Sequence, residues 1–379
     1  VLLNSLKEYG RRADESWDAA IHHFQGMLPD FRKRLLLVSD EPPATSGERI
    51  TIMRARQADL YRCHIRLERD ERGPSREKSS KYARALRRLA RHLSGSSRGL
   101  ALGGGGARAF AHVGVLEVLE QEGMDFDGVA GSSMGAIIGA AHAMGKSAQE
   151  IHRLLHQILP DSAAILDKTL PLVSFFRGRR LNRAILRGFG DARFEELQLP
   201  FVCNAVDLKS GNQILFDSGF LATALRGSVS LPGVFPPLKL GDYDIVDGGV
   251  INNLPGDILR EKGYAIILGL NATPMTDIRS SQTEVRPETG AFGFLRGLRK
   301  YLELPPILGI MYRSIAMEGR ELMRFRKDTF DLVLEPDVAE FDIFDFQEID
   351  RIVDRGREEA LKHLPELRAT LQARRLQAG

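Results

Sequence analysis

Four consecutive glycines at 103–106 follow a short apolar run, Leu100, Ala101 and Leu102, and precede residues that are apolar at helical spacing, Phe110, Val113, Leu116 and Leu119. A turn without side chains between a strand pattern and a helix pattern constrains this chain more than any other feature. The same order recurs within fifty residues. Phe126, Asp127, Gly128, Val129 and Ala130 read as a short buried strand, Gly131 to Gly135 as a turn, and the small apolar run from Ala136 to Ala141 as a helix packed tightly on a sheet. Strand, glycine turn and helix, twice over, is the skeleton of an open α/β sheet, which binds ligands at the carboxyl ends of its strands.

The second turn reads Gly131, Ser132, Ser133, Met134, Gly135 and fits the nucleophile-elbow pattern G-x-S-x-G, which makes Ser133 the candidate nucleophile. Alone, such a pentapeptide would arise by chance in about one chain in five of this composition, so its strand and helix context carries the reading. The first turn places unpaired N–H donors at a helix start, suited to a phosphate or to the oxyanion of an acyl transfer. A Walker loop is excluded because no Gly-Lys-Ser/Thr ending follows. Gly104, Gly106 and Ala109 match the relaxed dinucleotide fingerprint, with Asp125 or Asp127 near the distance of a ribose contact, so a Rossmann-like oxidoreductase stays as an alternative.

A serine nucleophile needs a base. Of nine histidines, His142, His152, His156 and His363 follow Ser133; each reads as a packed or surface residue, and the His152/His156 pair lacks the acidic third partner that a zinc site would want. Asp247 is the better candidate. It ends the strand-like run Tyr243, Asp244, Ile245, Val246 and is fixed by Gly248 and Gly249, although an ordinary Asp-Gly turn would look the same.

Taken together, the 100–116 segment with its glycines, Arg108 and His112, the elbow at Ser133, Asp247-Gly248-Gly249, the 228–237 stretch and Asn252-Asn253-Leu254-Pro255 resemble the patatin-like phospholipases, which use a serine-aspartate dyad. The resemblance is strong over 98–270. Beyond it, the 305–309 and 331–346 stretches look like the neuropathy target esterase branch, whose members act as lysophospholipases. It implies a three-layer α/β/α fold with a mostly parallel central sheet. It also implies Ser133 as nucleophile, Asp247 as base, and an oxyanion hole of Gly104, Gly105 and Gly106 ordered by Arg108. The substrate implied is a phospholipid or lysophospholipid, with no cofactor and no metal. One departure stands out: Ala109 takes the place of the usual glycine, which suits a residue already helical and would strain a positive φ. His112 reads as a packing or hydrogen-bonding residue. A catalytically silent, lipid-binding regulatory relative is the other alternative, though neither Ser133 nor Asp247 is replaced.

The whole chain agrees with this class. With 379 residues, 43% of them hydrophobic, it can bury one large core and an appended segment. Fifty-three basic against 50 acidic residues leave a charge of +3, no reason to expect nucleic acid. Cys63 and Cys203 lack metal spacing and read as buried thiols of a reducing compartment, the cytoplasm, with peripheral contact to a membrane surface. No apolar run approaches a membrane span, and the N-terminus, with Lys7, Arg11 and Arg12, does not read as a signal peptide.

Three regions are expected: an N-terminal helical, linker-like region 1–97, a catalytic core 98–270, and a C-terminal extension 271–379 ending in a long helix broken or kinked at Pro365. The first resembles the segment that joins cyclic-nucleotide-binding domains to the target-esterase catalytic domain, and no such domain is recognisable in the chain. Within it, 81–92 is basic and amphipathic, with Leu86, Leu89 and Leu93 on one face, so it either packs on the core or lies on anionic lipid. The apolar 158–176 segment, before Arg177, Arg179 and Arg180, reads equally as an acyl-chain lid or as core.

Overall fold

The computed structural model describes residues 3–5, 35–39, 61–66, 81–161, 165–170, 172–273 and 327–372. Expectations for the 305–309 motif and for the Cys63 and Leu93 side chains lie outside the described residues. Near the N-terminus, strands β1 (Leu3–Ser5), β2 (Leu35–Ser39) and β3 (Tyr61–Arg66) pair in parallel as a separate three-stranded sheet.

The main sheet begins at β4 (Arg98–Leu102) and β5 (Gly128–Gly131), the two strands expected before the glycine turns. It continues through β6 (Phe201–Asp207), β7 (Gln213–Phe216), β8 (Leu238–Leu240), β9 (Tyr243–Asp247), β10 (Ile266–Leu270) and β11 (Leu332–Leu334). The order is β11-β10-β4-β5-β6-β9-β8, with β7 also on β6; the pairings from β11 to β6 are parallel, and β7, β8 and β9 are antiparallel. The α/β architecture with a mostly parallel centre is therefore present. Its central strands are near-continuous apolar runs because both faces are covered.

Strand alternation divides the core. Leu100, Leu102, Val129, Phe201, Ile266 and Leu268 face the larger apolar cluster, while Ala101, Ala130, Val202 and Ile267 face a smaller one with Leu254, Ile258 and Tyr264. The larger cluster packs α2 (Ala111–Gln121), α3 (Met134–Ala143), α4 (Ala148–Ile158), α5 (Arg179–Phe189), α6 (Leu221–Ser228) and α8 (Ile349–Lys362); the smaller packs α7 (Gly256–Glu261). Three layers result, as the resemblance implied.

Helix α1 (Lys81–Leu93) packs on the core with Ala85 fully buried and Leu89 half-buried. Leu86 is 41% exposed, whereas Arg87 Nη2 donates to Asp125 Oδ2 at 2.8 Å and Arg91 Nη2 to Asp127 Oδ1 at 2.7 Å. The two arginines thus tie the helix to a half-buried and a buried acid, contacts that leucine spacing does not show. Those acids are the two that a ribose contact would have needed. Asp127 is 1% exposed and also accepts the Arg98 N–H, so the dinucleotide alternative loses its recognition carboxylates to α1.

The long C-terminal helix is two helices, α8 and α9 (Leu364–Gln372), with Pro365 in the first turn of the second, where its missing N–H costs nothing. Helix α8 crosses α2 with glycine on both sides: a Cβ on Gly114 would stand 1.9 Å from the Val353 carbonyl oxygen, and one on Gly356 1.8 Å from that of Ala111. This backbone contact seats the preceding segment, 341–346, over the glycine turn.

Candidate active site

Strands β4, β5 and β9 deliver the predicted residues to one edge. Ser133 sits between β5 and α3 at φ 52°, ψ −126°, the only non-glycine residue with positive φ among the described residues. Such strain persists where the surroundings over-determine the turn, and it concentrates at functional sites. The flanking glycines permit it by allowing close approach. A Cβ on Gly135 would lie 2.3 Å from the Leu102 carbonyl oxygen, and one on Gly131 2.6 Å from the Ala136 Cα. Helix α3 thus starts against the end of β4, and its first turn carries the hydroxyl.

Asp247 ends β9, and its side chain is 2% exposed. Ser133 Oγ donates to Asp247 Oδ2 at 2.6 Å, and the Gly249 N–H donates to Oδ1 at 2.7 Å. Burial pushes the Asp247 carboxyl up to about 6, against the pull of the Ser133 and Gly249 hydrogen bonds. The Asp-Gly turn is braced from β6. Asn204 Nδ2 donates to the Asn252 carbonyl at 2.7 Å, and a Cβ on Gly248 would stand 2.5 Å from the Asn204 side chain.

The four positions expected to form the oxyanion hole divide. Gly105 and Gly106 line the pocket with Ser133, and among the described residues neither N–H makes a hydrogen bond. Gly104 N–H is committed to the Asn253 carbonyl at 3.1 Å, and the buried Arg108 Nε to the Phe341 carbonyl at 2.7 Å. A donor satisfied inside the fold has nothing to offer an oxyanion, so the expectation narrows to Gly105 and Gly106. Gly104 is needed for space, since its Cβ would meet Ser133 Cβ at 2.9 Å. Arg108 holds the 341–346 segment beside the turn, together with the Ala107 N–H on the Ile343 carbonyl at 2.9 Å. Ala109 lies within the 3-10 turn Gly106–Phe110 and has no positive φ, so the departure from glycine is harmless.

Substituting Gly106, at φ 59°, has a predictable cost. Its Cβ would come 2.3 Å from the Ile343 carbonyl oxygen, and the left-handed backbone alone costs about 1–3 kcal/mol for a non-glycine residue. Gly106→Ala should lower the melting temperature by several degrees; an unchanged melting curve would show that the 341–346 segment yields freely.

None of the four candidate histidines lines the pocket. His152 and His156 do find an acid, which local spacing could not show: their Nε2 atoms lie 2.9 and 3.0 Å from Asp350 Oδ1 at the start of α8. His363 lies between Glu359 and Glu366. His142 is held down to about 4, chiefly by burial. His112, also pushed down to about 4 by burial, donates from Nε2 to the Gly103 carbonyl at 2.8 Å, the hydrogen-bonding role expected of it. Burial likewise raises the Cys203 thiol.

Sequence reasoning assigned no role to four contributors. Ser228 Oγ, fully buried, accepts the Ser133 N–H at 3.0 Å and pins the strained turn. Asn204 braces the aspartate turn, and Phe344 and Phe346 form part of the pocket wall. Ser228 lay within the recognisable 228–237 stretch, and Phe344 and Phe346 within 331–346.

A strained hydroxyl hydrogen-bonded to a buried carboxylate stands beside two amides that have no partner among the described residues. Residues 100–260 match the family described as patatin-like phospholipase, and the chain carries a domain of that family. An uncharacterized NTE family protein of Mycobacterium tuberculosis is 33% identical over 296 residues, 75% of this chain and 48% of its own length. Lysophospholipase NTE1 of Pyricularia oryzae is 32% identical over 74% of this chain and 19% of its own length, and human patatin-like phospholipase domain-containing protein 6 is 32% identical over 71% and 20%. The chain therefore spans about half the length of the mycobacterial relative and a fifth of the others. Among solved structures, VipD from Legionella pneumophila is similar at a TM-score of 0.38 and 12% identity, over 72% of this chain and 67% of that one.

Proposed function

We propose that the protein is a serine esterase that hydrolyses fatty-acyl ester bonds of phospholipids or lysophospholipids through Ser133 and Asp247. The 2.6 Å hydrogen bond between these residues, at the floor of an apolar pocket, carries the reading. Ser133 Oγ attacks the ester carbonyl while its proton passes to Asp247, and the Gly105 and Gly106 amides receive the charge that develops on the oxygen. Protonated Asp247 then returns the proton to the departing alcohol. In the second half, Asp247 takes a proton from water, whose oxygen attacks the acyl-enzyme; the acyl–Oγ bond breaks, Asp247 returns the proton to Ser133 Oγ, and the fatty acid is released. A carboxylate raised to about 6 suits both duties, since it is ionised at neutral pH yet basic enough to accept a proton transiently.

The pocket supplies the other half of the reading. Met134, Ile137, Leu181, Val229, Val234 and Ile343 surround the serine, a lining that suits an acyl chain. The relatives named lysophospholipases support the substrate class. Core and C-terminal extension act as one catalytic unit in this proposal, because 341–346 closes the pocket. No helix among the described residues is long and apolar enough to cross a membrane, so peripheral contact with lipid belongs to the same proposal.

Labelling with a fluorophosphonate, followed by assay on a panel of lysophospholipids, phospholipids and monoglycerides, tests the function. Modification elsewhere than Ser133, or no acyl hydrolysis by labelled-competent protein, would refute it. The pH dependence is a separate test. The base must be ionised in the free enzyme, so kcat/KM on a short-chain ester should fall with unit slope below about pH 6 and stay level above. A profile that stays flat down to pH 4.5 would remove Asp247 as base.

A further inference from the structure

The most exposed large apolar side chains among the described residues are near neighbours in one short segment: Leu172 is 90% exposed, Leu170 79% and Val173 71%. They cap a small hairpin. Lys168 pairs antiparallel with Phe176, and the Thr169 N–H donates to the Phe175 carbonyl at 3.1 Å. The base of this hairpin is tied to the pocket wall, with the Phe175 and Phe176 N–H groups donating to the Gly233 and Val234 carbonyls at 2.8 and 3.0 Å. Val234 lines the Ser133 pocket, as do Ile165 just before the hairpin and Leu181 just after it. The 158–176 segment thus divides: Ile158, Leu159, Ile165 and Phe176 are core, and the tip stands in solvent.

The charge around the tip has one sign. Between 165 and 189 stand Lys168, Arg177, Arg179, Arg180, Arg183 and Arg187 against a single acid, Asp167. That acid is turned inward, its two oxygens accepting the Gly178 and Arg179 N–H groups at 2.9 and 3.1 Å. Helix α5 carries four of the arginines, all exposed, while Leu181, Ala184, Ile185 and Phe189 hold its other face in the core. Arg177 and Arg179 border the same shallow groove as Leu170, Leu172 and Val173.

We propose that this hairpin tip and the cationic face of α5 form a docking surface for an anionic lipid bilayer, seated at the mouth of the Ser133 pocket. The proposal rests on the reading of that pocket as a lipid-ester site. Leu170, Leu172 and Val173 enter the boundary between headgroups and acyl chains, the arginines lie among the headgroup phosphates, and the route from bilayer to Ser133 runs along Ile165 and Leu181. Charge complementarity selects the partner. An apolar tip alone would fit a protein groove as well, but a tip ringed by exposed arginines matches a surface that is anionic outside and apolar beneath. Moving one leucine from water into the acyl region is worth about tenfold in partitioning, and each cation near an anionic surface about fivefold.

Co-sedimentation with vesicles tests this, using phosphatidylcholine alone and with about a third phosphatidylglycerol. The wild-type chain should bind the anionic vesicles, and binding should fall at least tenfold on pure phosphatidylcholine or in 0.5 M salt. Leu170→Asp combined with Leu172→Asp should lower binding to anionic vesicles about a hundredfold and hydrolysis of vesicle-borne lysophospholipid in parallel. Hydrolysis of soluble p-nitrophenyl butyrate should stay within twofold. Equal binding by the variant, or no binding by the wild type, would overturn the docking surface, and wild-type self-association abolished by the double substitution would assign the tip to a protein contact instead. Vesicle binding that depends on both leucines, with no ester hydrolysed in either assay, would leave the docking surface standing and refute the catalytic reading.

Discussion

Ser133→Ala is expected to lower kcat/KM by at least about ten-thousandfold on any acyl ester the wild-type protein hydrolyses, and to abolish fluorophosphonate labelling. Only the Oγ is lost. Alanine keeps the Cβ and the N–H that Ser228 Oγ accepts, so the turn at φ 52° retains its brace and its strain. The pocket and the Gly105 and Gly106 amides stay in place. Without the hydroxyl, Asp247 loses a hydrogen bond that favours its ionised form, so its carboxyl rises further. Residual activity above a few per cent in protein with a wild-type melting curve would take Ser133 out of the chemistry.

Asp247→Asn should be nearly as inactive and yet more stable. The amide oxygen can keep the Gly249 N–H, and the amide nitrogen can donate to Ser133 Oγ, so both hydrogen bonds survive in altered sense while the proton acceptor is gone. The stability gain follows from burial. A carboxyl near 6 in the folded protein, against 3.8 ordinarily, stays protonated after the unfolded chain has ionised. Folding is therefore weakened as pH rises from about 4 to 6, by about 3 kcal/mol in total, and no further above. Asparagine never ionises and avoids that cost. Urea unfolding should show the variant ahead by about 3 kcal/mol at pH 7.5 and by about half as much at pH 5. A gap that does not change with pH would mean that the Asp247 environment tolerates its charge. On the proposed mechanism the buried aspartate trades stability for a basic carboxylate.

Much of this arrangement was legible before any coordinates, and for local reasons. Glycine turns, strand runs and the helices after them depend on neighbours a few residues apart. The edges of β4, β5 and α3 accordingly lie within two residues of where the residue pattern placed them. Ser133 and Asp247 stood out because each sits at a turn whose glycines leave a visible mark. Periodicity misled where partners came from far away. Helix α1 displays leucines at regular spacing, which gives no hint that Arg87 and Arg91 reach Asp125 and Asp127. The His152 and His156 pair looked incomplete until Asp350, from the other end of the chain, joined it. Gly104 and Gly106 looked equivalent as amide donors, and only the Asn253 carbonyl separates them.

From residue order alone came the α/β class, the serine in its elbow, the aspartate in its turn and the family to which they point. Each rests on backbone geometry that glycine permits within a span of five or six residues. Tertiary structure alone decided which amides remain free for an oxyanion, how far burial raises Asp247, that the C-terminal segment closes the pocket, and that Leu170, Leu172 and Val173 face solvent instead of the core. Those outcomes depend on desolvation and on contacts between residues tens to hundreds of positions apart. The free energies involved belong to the assembled surroundings and leave no mark on the spacing of neighbouring residues.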